Sequence, residues 1–116
     1  TVFDLAPGES WLVFTDGVTV KSIPNAATAV GPVTPTLQAT ATGTVYDILA
    51  DATNTYINSD GVLRRYLTSN FATFTDLVVD NNGVTANMSE WYYPFTTDGT
   101  NIVFFSNFSR LAKVPK

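Results

Sequence analysis

A chain of 116 residues with 45% hydrophobic and 13% aromatic content has the apolar surface for one core, so a single β domain spanning 1–116 is expected. Only 14% of residues are charged and Thr, Val and Asn are plentiful, a palette of strands and tight turns that argues against an independent helical domain. The net charge of −4 and the six Lys and Arg, adjacent only at Arg64-Arg65, exclude nucleic acid as a partner, while the absence of Cys and His removes disulfides, thiol catalysis, imidazole bases and zinc sites.

Three segments share the order strand, Asp-Gly, strand: SWLVFTDGVTVKS at 10–22, TYINSDGVLRRYL at 55–67 and WYYPFTTDGTNIVFF at 91–105. Asp-Gly between extended runs predicts two-residue hairpin turns at Asp16-Gly17, Asp60-Gly61 and Asp98-Gly99. Asn82-Gly83 offers a fourth. The expectation is an antiparallel β-sandwich or barrel-like meander of hairpins.

Such loops set register. In the first hairpin they place Val13 opposite Val20 and Trp11 opposite Ser22, with Val18 on the same, core-facing side. Downstream, 22–44 carries no charge and is rich in Pro, Thr, Ala and Gly, which reads as an extended arm or long loop. Its expected contacts with a neighbouring surface are Pro24, Pro32, Pro35 and Leu37.

Thr44 and Asp47 form a capping-box pattern ahead of a Val45, Ile48, Leu49, Ala52 stripe, predicting one short helix at 45–53. Over 59–74, Val62, Leu63, Tyr66, Leu67, Phe71 and Phe74 fit helical spacing as well as a hairpin, and the hairpin is preferred. Its register sets Tyr56 opposite Arg65, close enough for a cation–π pair. In the third hairpin Phe95 is expected opposite Ile102 and Tyr93 opposite Phe104, with Tyr92 and Phe105 on the other side. Aromatics on both faces, beside the edge-seeking Pro94, imply a covering layer or a second subunit.

Catalysis would have to rest on carboxylates, and a glycoside hydrolase needs two of them across a cleft; the only glutamates are Glu9 and Glu90. DATNTYINSD at 51–60 and DNN at 80–82 cluster oxygen ligands but miss calcium-loop spacing, and Asx residues are what turns require. No cofactor or metal is expected. Glu90, Trp91 and Tyr93 in SEWYYPF (89–95) form the candidate partner- or glycan-binding cluster, since flat rings beside a carboxylate suit sugar stacking. NMS at 87–89 and NFS at 107–109 match the glycosylation sequon. No apolar stretch is long enough for a membrane helix, and no signal peptide is visible.

Asp-Gly recurs ahead of Ser-Asn-Phe in YINSDGVLRRYLTSNF (56–71) and FTTDGTNIVFFSNF (95–108), a spacing close to that of a propeller blade. YLTSNFATFTDL loosely resembles blades of sugar-recognising propellers, but Ser59-Asp60-Gly61 lacks their spacer residues and Phe74 stands where a Trp belongs. Opening on DLAPGESW (4–11), with an uncharged Pro/Thr arm and aromatic hairpins, the whole chain resembles the small virion-surface proteins of tailed bacteriophages. That resemblance implies a non-enzymatic decoration or tail- and fibre-associated component, on a virion surface or extracellular. It also implies a homo-oligomer within a larger assembly, and it carries no catalytic residues. The other function readings are a glycan-binding module and a carboxylate hydrolase.

Overall fold

The computed structural model describes residues 3–5, 12–23, 28, 30–34, 36–41, 43–51, 53–59, 62–78, 95–106 and 110–116. They form β1 (Phe3–Leu5), β2 (Leu12–Asp16), β3 (Thr19–Ile23), β4 (Thr36–Thr40), β5 (Val45–Ala50) and β6 (Asn54–Ser59). The chain continues through β7 (Val62–Leu67), β8 (Asn70–Val78), β9 (Thr96–Thr97), β10 (Asn101–Ser106) and β11 (Arg110–Pro115). Among the described residues every strand pairing is antiparallel, in three open sheets ordered β1-β2-β3-β4, β5-β6-β7-β8 and β11-β10-β9. This is a stack of hairpin meanders, and none of the sheets closes into a barrel.

Side-chain alternation explains the stacking. Along β6, Ile57 enters one core with Val13, Val20, Val45, Ile48, Ala50, Tyr66 and Phe71. Its neighbour Tyr56 enters a second core with Leu63, Phe95, Ile102 and Phe104. Successive strand residues point to opposite faces, so the β5–β8 sheet is the middle layer, with β1–β4 on one side and β9–β11 on the other. β1 lies against β5 and β4 against β8, aligning the first two layers edge over edge. Double coverage leaves every residue from Thr55 to Ser59 buried, whereas β3 alternates, burying Val20 and Ser22 only. Each large side chain taken fully out of water contributes about 1.5–3 kcal/mol, which is what makes two covered faces worth building.

The helix expected at 45–53 is corrected: its described residues run through β5 and into the turn that follows. Ile48 pairs with Ile57 in the first core, while Leu49 pairs with Tyr56 and packs against the second. A strand buried on both faces needs apolar residues at even and odd positions, and that pattern imitates a helical stripe. The same explanation covers β7 and β8, where Leu63 and Tyr66 serve opposite cores; the hairpin reading holds there, with Tyr56 opposite Arg65.

Two expected registers shift. In the first hairpin Gly17-Val18 is the turn, Asp16 pairs with Thr19 and Val13 with Ser22. In the third, Thr97 rather than Phe95 pairs with Ile102. Gly17 (φ 63°) and Gly99 (φ 96°) each take the first central position of the turn, where a positive φ is required, which moves the preceding Asp into the ladder. The register moves by two residues, so Val13, Thr15, Val20 and Ser22 still share the buried face, but Val18 lies in the turn and is exposed.

The 22–44 arm is also corrected in extent. Ser22 belongs to β3, and Thr36–Thr40 folds back as β4, with Leu37 opposite Lys21. The uncharged composition that suggested an arm suits a strand closing one edge of a sheet, whose bulge falls at Val20/Lys21.

Candidate functional site

One turn is used twice. Asp51 Oδ1 accepts the backbone N–H groups of Thr53 (2.9 Å) and Asn54 (2.7 Å), and Asp51 N–H donates to Asn54 O at 2.8 Å. Asp98 Oδ1 accepts from Thr100 (3.0 Å) and Asn101 (2.7 Å), and Asp98 N–H donates to Asn101 O at 3.2 Å. The sequences are Asp-Ala-Thr-Asn and Asp-Gly-Thr-Asn. Each short carboxylate satisfies the two backbone donors that a tight reversal strands.

The registers beyond the two turns agree as well. Ala50 pairs with Thr55 as Thr97 pairs with Ile102, Tyr56 with Arg65 as Val103 with Lys113, and Asn58 with Leu63 as Phe105 with Leu111. Thus β5–β6–β7 and β9–β10–β11 are equivalent meanders. The recurrence of Asp-Gly and Ser-Asn-Phe is a different correspondence, because it aligns the reversal between Ser59 and Val62, which joins β6 to β7, with the Asp98 turn, which joins β9 to β10. The signal that finds the structural repeat is Asp-x-Thr-Asn opening a six-residue strand.

Electrostatics separates the two turns. Hydrogen bonds from backbone Asn101 and Thr100, then from the Asn101 side chain, hold the Asp98 carboxyl down at about 2. Burial pushes the Asp51 carboxyl up, but bonds from Lys116 and from backbone Asn54 and Thr53 outweigh it and leave it below 3.8. Lys116 Nζ lies 2.8 Å from Asp51 Oδ2 and 5.6 Å from the centre of the Tyr56 ring, fastening the end of β11 to the middle sheet. The hydrogen bond to Asp51 raises Lys116 above its ordinary value. The cation placed over Tyr56 is therefore Lys116, and the cross-strand Arg65 contributes only a weaker field. Among the described residues, Tyr56 Oη and Asn58 Oδ1 are buried without a hydrogen-bond partner, although the Asn54 side chain influences the Tyr56 hydroxyl.

On the first-core side, Arg64 grips Asp76 through Nε–Oδ1 (2.5 Å) and Nη2–Oδ2 (3.1 Å), and its guanidinium lies 3.9 Å from the centre of the Phe74 ring. Planar Arg suits both partners at once, and the bond to Asp76 raises it further above its ordinary value. Phe74 is half-exposed on β8, the edge strand of the middle sheet.

Of the residues singled out by sequence, Glu90, Trp91 and Tyr93 lie outside the described residues, as do Pro24, Pro35, Asp60, Gly61, Asn82, Gly83 and both sequons. Phe95, which closes the aromatic cluster, is buried in the second core, its N–H bonded to Asp47 Oδ2 at 2.9 Å. Pro32 lies in the β3–β4 connection, where 30–34 is exposed throughout, Val30 at 94%. Among the described residues no three carboxylates converge to hold a metal, and Asp51 and Asp98 are engaged in their turns.

The side of the third sheet that faces away from the second core carries Thr96, Val103, Leu111, Lys113 and Pro115. Leu111 is 69% exposed. Comparison with protein-family models, with curated proteins and with solved structures gave no match to this chain.

Proposed function

We propose that the chain is a non-enzymatic structural component that holds protein neighbours through uncharged, apolar surface, as a decoration or fibre-associated protein of a virion or another extracellular assembly would. The observation that supports this most is the β3–β4 connection, where Val30, Pro32 and Val33 stand in solvent in a stretch without a charge. Solvated connections are ordinarily polar, and exposed apolar tips are favoured where a partner covers them. A dry contact of that kind needs no catalytic group and gains from repetition across a symmetric particle.

The test is made on the native particle. Val30→Asp/Val33→Asp should be excluded from it when competing with the wild-type chain, with thermal stability unchanged to within about 0.5 kcal/mol, as expected for exposed positions. Equal incorporation of the variant, or a wild-type chain that sediments free in extracts of its source, contradicts the proposal.

A further inference from the structure

Ladder geometry decides which backbone groups a sheet edge presents. Thr68 N–H donates to Thr53 O at 2.9 Å, so Arg64 and Tyr66 bond back to β6 while Arg65, between them, bonds to Thr75 of β8. Phe74 and Asp76 therefore turn their N–H and C=O groups outward, away from β7. Residues 72–76 are all exposed, and β8 is nine residues long without a proline.

The opposite edge of the middle sheet and the edges of the third carry guards. Asp47 takes the N–H of Ile48 on β5 through Oδ1 and that of Phe95, ahead of β9, through Oδ2, both at 2.9 Å. Lys116 N–H donates to Thr100 O, so β11 turns Leu111, Lys113 and Pro115 outward. Pro115 has no N–H to offer and Lys113 adds a charge, two ordinary ways of blocking strand addition. On β8 the N–H of Ala72 goes to Asn70 Oδ1 at 3.1 Å, but among the described residues the outward groups of Phe74 and Asp76 have no partner. The single charge of the strand, Asp76, is already held by Arg64.

We propose that β8 is a strand-addition edge, on which β8 of a second copy pairs across a two-fold axis at Thr75 and joins the two middle sheets into one. A row of bare N–H and C=O groups accepts another extended chain, and identical strands meeting about a two-fold are antiparallel by symmetry. With Thr75 on the axis, Phe74 of each copy stands opposite Asp76 of the other, both with outward groups to exchange. Arg64 lies 3.9 Å from the centre of the Phe74 ring, so the incoming Asp76 arrives beside a guanidinium that also holds its own aspartate. Two arginines and two aspartates then close a network around the axis, and the two Thr75 side chains meet on the opposite face. An axis at Asp76 would set like charges face to face, and one at Phe74 would set Asp76 opposite Ala72, whose N–H is already taken.

Contact through one short edge is small, so the pair is weak and concentration-dependent, strengthened when an assembly holds copies side by side. Sedimentation equilibrium of the full chain from about 10 μM to 1 mM should show the mean mass rising above the monomer. Once half the chains are paired, the amides of Phe74 and Asp76 should exchange about twofold more slowly, with that of Thr75 unchanged. Phe74→Pro removes one outward donor and Phe74→Glu places a carboxylate opposite Asp76 of the second copy; both should stay monomeric, and Phe74→Glu decides alone if the proline variant does not fold. Leu111→Arg, on the third sheet, should associate like wild type.

A wild-type chain monomeric to the top of the range overturns the proposal, as does a Phe74→Glu chain that still associates. Loss of association in Leu111→Arg overturns it by moving the contact to the third sheet. Slow exchange of Phe74 and Asp76 already at the lowest concentration does so too, because the edge is then covered within one chain. The β3–β4 connection takes no part in this pairing, so the assembly role fails separately. A wild-type monomer still incorporated into particles removes only the β8 contact, and a β8 dimer absent from every particle upholds the contact and removes only the assembly role.

Discussion

The meanders β5–β6–β7 and β9–β10–β11 share the Asp-x-Thr-Asn turn between their first two strands and keep the same cross-strand register, yet among the described residues one is covered on both sides and the other on one. Leu63 and Leu111 are counterparts in register, and their exposures are 0% and 69%. Local sequence therefore decides where the chain reverses and which residues face one another across a ladder. Position in the stack decides how much a given side chain is worth.

The sharpest way to probe the pair is truncation. Leu63→Ala should cost about 2–5 kcal/mol, a core cavity, whereas Leu111→Ala should stay within about 0.5 kcal/mol in dilute solution; urea titration of the two measures both. Similar losses would break the comparison. The turn carboxylates come next. Asp51→Asn gives up the ion pair with Lys116 and weakens two backbone bonds, on the order of 1 kcal/mol once exposure is discounted. Asp98→Asn should lose less, since its bonds are local and wholly in solvent.

Acid titration sharpens the same contrast. Both carboxyls are depressed in the folded chain, so their stabilisation is present above the ordinary value of 3.8 and is lost as pH falls through the folded value, about 2 for Asp98. The melting temperature should carry this dependence only below about pH 4, and the double variant Asp51→Asn/Asp98→Asn should flatten that limb. Lys116 acts at the other end of the scale: raised by its bond to Asp51, it contributes below 10.5 and loses that contribution as pH rises past its folded value. The smallest effect expected is Tyr56→Phe, which removes a buried hydroxyl with no bonded partner among the described residues and should leave stability within about 1 kcal/mol of wild type, or slightly higher.

Hairpins were legible because glycine followed by a β-branched or aromatic run leaves few alternatives, and Gly17 and Gly99 do reverse the chain. Register was less so: whether Asp or Gly enters the turn depends on which residue must adopt positive φ, and the choice moved both outer hairpins by two residues. Layer order could not be read from periodicity. Ile48 with Leu49, and Leu63 with Tyr66, serve opposite cores, and a strand with two apolar faces has no period of two to detect. Leu37 reads as part of an arm for a related reason, since an edge strand of Thr, Leu, Gln and Ala carries no strong signature until β3 is there to pair with it. The outer face of the third sheet was visible in principle. Leu111, Lys113 and Pro115 alternate with Ala112 and Val114, and aligning Asp51 with Asp98 would have set Leu111 beside Leu63. The stronger sequence signal lies at Trp91 and Tyr93, whose rings carry more apolar area per residue.

β6 is flanked by β5 and β7 within its own sheet and lies between the other two sheets. Its amides are expected to exchange with deuterium only when the whole molecule comes apart, which native-state hydrogen exchange would check. The slowest-exchanging protons, at Tyr56 and Ile57, then serve as an internal clock for global unfolding. Those of β8 and β11, at sheet edges, should exchange through smaller excursions that leave the middle of the stack intact.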